Sequence, residues 1–592
     1  MELSPRTGHD RFLSHSPLAA CEALRLQIEA DRYTAAVVYP FDPFTEVGPF
    51  LGYSARTITA GPWVVGAMLQ RAGVTARVVQ QVWNPNFQAQ RATINGRPID
   101  ILAISAMNIH AGKAQALIRD ASLMGPARPL VVCGGPKYIY QPTDAWRGGP
   151  DLWPDVVVTG ETHVLISLLQ RVSTLKRGDE TLAQACRRVR DDGGLQDIPG
   201  LMYRIAGDDE GLVHTGTARL SPNLERPFSV EGLQLYERPG RHGGLSPAPM
   251  SLREIGTQVS AIITPGITEG CTETCGFCPI PARMQRSYRT TSHEFISEDF
   301  LRVLEATGIR DFAVGDDSHF NSKHCETFWA EMAQVRHKGQ PLRGQIRIAT
   351  EAVLAHVKKR LHVLPDASLG GLNTLWFGIE TFNTSDLDKG QNTERTEEVF
   401  AALRRQGIGP MAMTILFEGQ QWRGNATHPF GIAETMTMLD RCGASYMQMT
   451  HISPSPGSRF YEGHFTSGEV LAEAGAYQID DRFFDGNRVI LDFSRGKDPR
   501  SCARRQLLIL GAYWKFYGPL RLLRLIGRYL REPTALRSQD VRMCAIGMAQ
   551  TAVSTMRYAP WVLALWRGPW RQYAATPELK APIRSSQAIR PM

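Results

Sequence analysis

Twice along this chain, short runs of aliphatic residues alternate with longer helical stretches, and that alternation limits the fold more than any other feature. The first series runs from Tyr33 to about residue 172, with strand-like segments Ala35–Tyr39, Ala76–Val79, Ile99–Ile104, Leu130–Cys133 and Asp155–Val158. Helical stretches lie between them around 61–72, 112–124 and 162–172. Unbroken apolar runs of this kind suit strands buried on both faces, which predicts a parallel sheet covered by helices. The second series holds Val259–Ile263, Phe312–Val314, Gln345–Ile348, Thr374–Phe377, Met411–Leu416 and Tyr446–Thr450. Six strands with intervening helices predict a partial α/β barrel, open on one side. In both architectures, ligands gather at the carboxyl ends of the strands.

Those ends carry the residues of interest. In the first unit they are Ser105-Ala-Met107, Gly134-Gly135-Pro-Lys137 and Gly160-Glu161-Thr162, where small residues leave room for a flat, bulky ligand. After the first strand of the second unit comes Cys271-Thr-Glu-Thr-Cys275-Gly-Phe-Cys278. Three thiolates can hold a four-iron cluster and leave one iron without a protein ligand, whereas clusters that only carry electrons usually close every iron with cysteine. A structural zinc site would want a fourth Cys or His, and the next candidate, His293, has no matching partner. Buried thiols without a ligand role are the other reading. The remaining seven cysteines are scattered singly, which fits a reducing compartment rather than a disulfide framework.

The cysteine triad resembles the signature of the radical S-adenosylmethionine (SAM) superfamily. That resemblance implies a [4Fe-4S] cluster on Cys271, Cys275 and Cys278, with SAM chelated to the open iron and Phe277 against the adenine. Gly315-Asp316-Asp317-Ser318 follows the second strand, where the family has a Gly-Gly-Glu-Pro-like stretch that meets the SAM ammonium. Gly378-Ile-Glu380 follows the fourth strand and matches an element of the cobalamin-linked class; Glu380 is expected to contact the SAM ribose or ammonium. Ser453-Pro-Ser-Pro-Gly457 with Tyr461-Glu462 resembles the segment that ends the barrel there.

The order of the first unit is similar to the cobalamin-binding domain of the same class, which implies cobalamin contacts at Ser105, Gly134, Gly135, Gly160 and Glu161. The Asp-x-His-x-x-Gly motif that supplies a histidine to cobalt is missing; Asp317-Ser-His319 lacks its glycine and lies in the second unit. The expected fold is therefore α/β: a Rossmann-like cobalamin-binding domain over 33–172, a radical SAM barrel of (βα)6 TIM type over 251–465, and a mostly helical C-terminal domain over 466–573. An N-terminal extension (1–32), a Gly-, Pro- and charge-rich connector (173–250) and a disordered tail (574–592) complete the division.

The basic residues cluster late. The chain carries a net charge of +8, and much of its grouped Arg follows Arg500. Wound at about 100° per residue, the stretch after Tyr517 puts Arg521, Arg524, Arg528 and Arg531 on one side and Leu522, Leu525, Ile526 and Tyr529 on the other. Basic amphipathic helices lie in membrane interfaces or pack as ordinary surface helices. Trp561, Trp566 and Trp570, mixed with Arg567 and Arg571, repeat the pattern. No apolar run reaches the roughly 18 residues of a membrane span; the nearest approach, Cys544–Trp566, is broken by Gln550, Arg557 and Pro560. The N-terminal ten residues show no basic flank and apolar core of a signal peptide, so a cytoplasmic protein is expected, with peripheral contact to the inner membrane face through residues 504–571.

This tail, with Phe484-Asp-Gly486, is similar to cobalamin-type radical enzymes acting on polycyclic isoprenoid lipids, such as hopanoid C-3 methylases. The resemblance implies a C-methyltransferase acting on an unactivated lipid carbon, with SAM and cobalamin as cofactors and a flavodoxin- or ferredoxin-type electron donor. Two alternatives stay open: a radical enzyme performing cyclisation, coupling or oxidation, and an RNA binder. The second is disfavoured because the Arg residues interleave with aliphatics and no RNA-binding module is present.

Overall fold

A computed structural model describes residues 8–28, 33–46, 52–205, 211–387, 392–472, 480–498, 500–531, 538–567, 572–573 and 583–585. Its N-terminal sheet holds all five expected parallel strands: Tyr33–Tyr39, Val74–Gln80, Ile101–Ser105, Leu130–Gly134 and Val156–Val158. Their order from one edge is Val74–Gln80, Tyr33–Tyr39, Ile101–Ser105, Leu130–Gly134, Val156–Val158. Valine, isoleucine and alanine on these strands are almost wholly buried, as the continuous apolar runs require.

The connector does more than connect. Leu201–Arg204 adds to the sheet antiparallel to Val156–Val158, and Leu212–His214 pairs antiparallel with it. The sheet therefore continues past the boundary drawn at residue 172, because these strands are too short to show a period in sequence. At the far edge Ile583–Ser585 pairs with Leu212–His214. A strand thus sits inside the tail expected to be disordered, whose other residues lie outside the described set.

The second sheet curls as a half-barrel of parallel strands: Ala261–Pro265, Asp311–Gly315, Arg347–Ala352, Leu372–Glu380, Gly409–Leu416 and Tyr446–His451. Helices pack outside it. The helix His293–Thr307 shows how they are bounded: Ser292 Oγ accepts the Phe295 N–H, and Gly308 ends the helix in the left-handed region at φ 77°. Alternate strand residues such as Ile262, Phe312, Ile348, Phe377 and Met447 join the core beneath these helices.

A half-barrel has two raw edges. A seventh strand, Thr57–Ile58 from the N-terminal unit, pairs in parallel with Ala261 and Ile262 on one side. On the other side, two tyrosines of the helix Ser501–Tyr517 cover Tyr446–His451. Tyr513 Oη accepts from Met449 N (3.1 Å) and donates to Met449 O (2.8 Å), while Tyr517 does the same at Met447. The six-strand expectation missed the added strand because two residues carry no pattern.

The units interlock at several polar points. Lys137, 2% exposed, donates to Asp144 (2.7 Å) and to Asp481 of the C-terminal part (2.8 Å). Gln141 donates to the Tyr461 hydroxyl (2.6 Å), and Trp63 Nε1 to Ile263 O (3.3 Å). After Ser501–Tyr517 the chain forms Pro519–Arg531 and Ser538–Arg567, packed on the barrel and on each other. Among the described residues no helix is long and apolar enough to cross a membrane. Trp570 and Arg571 lie outside the described residues.

Candidate active site

The cysteine loop follows the first barrel strand. Cys271, Cys275 and Cys278 are half-buried, whereas the other seven cysteines are buried. The Cys278 thiol is pushed up to about 11, first by burial and then by the Cys275 and Cys271 thiols around it. The three are thus neighbours. Among the described residues no set of three His, Cys, Asp or Glu side chains is gathered closely enough for a single metal ion. Three neighbouring, half-buried thiols on one loop at the barrel mouth suit an iron-sulfur cluster.

The loop is held by its surroundings. Gly270, immediately before Cys271, has φ 102°, and a Cβ there would collide with Ser287 O, so only glycine serves. Its N–H donates to Asp317 Oδ2 (2.6 Å). Phe460 N donates to Gly276 O (3.1 Å) and Arg459 to Thr274 O (2.5 Å), so the segment that ends the barrel also grips the loop. Phe277 lies half-buried between the last two cysteines.

Beside the loop, carboxyl groups crowd together. Asp316 accepts from Thr268 N (2.6 Å) and from the Thr350 hydroxyl, and burial pushes its carboxyl up to about 7. Burial raises Asp317 to about 6, against the opposing Gly270 N–H. Glu351, on the third strand, is raised to about 8 by burial and then by Asp317, Asp316 and Glu380. Glu380 itself closes the fourth strand at φ 58°, a left-handed conformation uncommon for a side-chain-bearing residue, beside a register shift after Gly378. Gly315 is exposed at the mouth. Three carboxyls raised by burial, Asp316, Asp317 and Glu351, with Glu380 beside them, are a fit for the ammonium and sulfonium of SAM. Glu351 is an addition to the expected set; strand parity around Arg347–Ala352 was the signal for it.

The same parity maps the concave face. Residues turned away from the helices stay half-exposed: Ala349 and Glu351, Trp376 and Gly378, Met413 and Ile415, Gln448 and Thr450. Acid thus lines the side near the cysteines, and Trp, Met and Ile line the fourth and fifth strands. Gly486 of the segment Phe484-Asp-Gly486 lies over Thr450 and closes the last strand. None of Trp376, Met413, Ile415, Gln448 or Thr450 belonged to the expected site.

The proposed cobalamin edge gives a divided result. Ser105, Gly134 and Gly135 form a half-exposed ledge at the strand ends, with Met107 39% exposed beside it. Thr159 Oγ1 and Asn108 Oδ1 on the same edge are buried without a hydrogen-bond partner, which fits an additional polar ligand there. Glu161, in contrast, is engaged: it accepts from Arg289 Nη1 (2.6 Å) and Ser221 N (2.8 Å). Gly160 packs against Ala218. Glu161 thus ties the sheet to the barrel through Arg289, while Gly160 lies against the connector at Ala218. Arg289 was not among the expected residues, since nothing in its local sequence marks an interdomain ion pair. His110, farther along the edge, accepts from Asp42 N at Nδ1 (3.1 Å) and is buried against Tyr39 and Phe41.

Comparison with known proteins agrees with this geometry. Residues 266–423 match the model of the Radical SAM superfamily. No curated protein gives a match. Among solved structures, the methyltransferase TsrM from Kitasatospora setae, with cobalamin and a [4Fe-4S] cluster bound, is 14% identical over 83% of this chain and 89% of its own (TM-score 0.53). The cobalamin-dependent radical enzyme OxsB with aqua-cobalamin is 13% identical over 90% of this chain and 80% of its own (TM-score 0.53). With SAM also bound, OxsB aligns at 15% identity over 73% of this chain and 55% of its own, so there this chain spans little more than half of OxsB (TM-score 0.51). Residues 266–423 are thus a radical SAM domain, the mark of an enzyme, in a chain with the fold of the cobalamin-dependent radical SAM enzymes.

Proposed function

We propose that this protein is a cobalamin-dependent radical SAM C-methyltransferase whose substrate is a lipid, of the polycyclic isoprenoid type. The observation that carries the reading is the divided concave face, acidic at Glu351 beside the cysteine loop and apolar at Trp376, Met413 and Ile415. When bound, the [4Fe-4S] cluster supplies the electron that cleaves SAM and cobalamin carries the methyl group. Cys271, Cys275 and Cys278 would hold the cluster, and Phe277 would lie against adenine. Asp316, Asp317, Glu351 and Glu380 would hold the SAM cation, with Gly315 and Gly378 giving it room. Ser105, Gly134 and Gly135 would support the corrinoid. Trp376, Met413 and Ile415 would hold apolar carbon against the reacting centre and exclude water, with Gln448 and Thr450 able to bond one hydroxyl. A flavodoxin- or ferredoxin-type protein would deliver the electron in the cytoplasm. Such a lipid would enter from the inner membrane face, with residues 504–571 in peripheral contact.

The test is anaerobic reconstitution with cobalamin, iron and cobalt analysis, and incubation with methyl-labelled SAM and a triterpenoid extract. About four irons and one cobalt per chain, with label in the lipid, are expected. The engaged state of Glu161 and Gly160 favours one rival, a radical enzyme that has lost its corrinoid and catalyses cyclisation, coupling or oxidation. Iron with no cobalt, and an unlabelled product, would establish that rival instead.

A further inference from the structure

The outward face of the helix Pro519–Arg531 differs from the two-sided pattern expected of it. Arg521 points inward, 3% exposed, donating to Asp440 Oδ1 (2.6 Å) and Ala444 O (2.7 Å). Leu522, Leu525 and Tyr529 flank it toward the protein, each only half-exposed. What faces out is a leucine row: Leu520 is 76% exposed, Leu523 65% and Leu530 74%, with Ile526 beside them. Arg524, Arg528 and Arg531 are exposed next to this row on the same outward half.

The feature is regional. Ten of the nineteen exposed large apolar side chains among the described residues lie between Leu507 and Trp566. From Arg500 to Arg531 there are eight basic residues and no Asp or Glu. Soluble proteins seldom expose a contiguous apolar row without a partner. A second copy of the chain would set Arg528 and Arg531 against their own counterparts, with Asp440 already engaged by Arg521 and Arg524. An apolar row beside the exposed guanidinium groups of Arg528 and Arg531 matches the acyl and headgroup layers of an anionic bilayer.

We infer that the outward face of Pro519–Arg531 docks on an anionic lipid bilayer, with Leu520, Leu523 and Leu530 in the acyl boundary and Arg528 and Arg531 on lipid phosphates. The inference deepens the lipid-methylation reading and rests on it for its purpose, though the contact itself stands on surface chemistry. Docking here would hold the enzyme at the phase where a water-insoluble substrate resides.

The test uses the full chain and sedimentation with vesicles of phosphatidylcholine containing about one-third phosphatidylglycerol, a composition chosen for its negative surface. Binding is expected to be at least tenfold weaker on pure phosphatidylcholine and in 0.5 M salt. The exposed-site double variants Leu523→Glu/Leu530→Glu and Arg528→Glu/Arg531→Glu should each lose at least tenfold while keeping the wild-type melting profile. Equal binding to neutral and anionic vesicles, or no binding, overturns the inference. So does a concentration-dependent dimer, or a complex with an acidic electron-carrier protein, that the leucine variant abolishes without vesicles. Methylation of detergent-dispersed lipid by a chain that ignores vesicles would sink the docking alone; vesicle binding without methyl transfer would sink the catalytic reading alone.

Discussion

The hydroxyl of Tyr517 both donates to the carbonyl of Met447 and accepts from its amide, each at 2.7 Å, so one side chain completes the hydrogen bonding of a buried strand edge. Tyr517→Phe keeps the ring and orphans both backbone groups. A loss of about 1–3 kcal/mol is expected, read by urea unfolding, with faster hydrogen exchange at the Met447 amide. Unchanged exchange there would show that the edge is protected by something else.

Replacing Cys271, Cys275 or Cys278 by Ala should remove most bound iron and abolish SAM cleavage. Cys325→Ala, at a buried cysteine of an outer helix, should leave both intact. Iron and sulfide analysis with 5′-deoxyadenosine assay decides; a single triad variant that still cleaves SAM would refute the cluster assignment.

SAM binding should strengthen as pH rises. Asp317, Asp316 and Glu351 shed protons near 6, 7 and 8, and only their ionised forms attract the SAM cation. Raised carboxyl values mean that the folded chain holds more protons than the unfolded one from about pH 4 upward. These groups therefore cost the resting protein stability as pH climbs from about 4 to about 8, and bound SAM should offset that loss. Equilibrium binding from pH 5.5 to 8.5 checks the sign, and Glu351→Gln should flatten the upper part of the curve.

Met413→Glu places a charge on the apolar half of the concave face. Turnover of the lipid substrate is expected to fall at least tenfold, while substrate-free SAM cleavage stays within about twofold, because the acid half is untouched. Equal loss of both activities would mean that Met413 supports the SAM side instead.

Arg289→Met would leave Glu161 without its guanidinium in the join between the sheet and the barrel. A cost of about 3–5 kcal/mol is typical when one partner of a buried pair is removed. Limited proteolysis of the 173–250 segment should speed up, and unaltered cleavage would show that the pair does not hold the units together.

Much of the architecture is legible in the sequence. The apolar runs at Ala35–Tyr39 and Met411–Leu416 lie within strands of the structure, because continuous aliphatic stretches have few other places to go. The cysteine spacing pointed to the mouth of the first barrel strand for the same local reason. What sequence could not show is what distance along the chain conceals. Thr57–Ile58 is too short to carry a period, and Glu161 meets Arg289 across 128 positions. The helix Pro519–Arg531 was read with four arginines on one face, yet Asp440, far away in sequence, draws Arg521 inward and turns the leucines out. Parity along Arg347–Ala352 could have exposed Glu351; the partners of Arg289 and Arg521 could not have been found that way.

The two residues Thr57 and Ile58 make the barrel a borrower. A catalytic fragment begun at residue 251 would leave the Ala261–Pro265 edge bare, open to whatever strand it met first, including its own kind. Attempts to graft this barrel onto a different N-terminal unit, or to produce it alone, should therefore yield aggregates unless residues 52–58 travel with it.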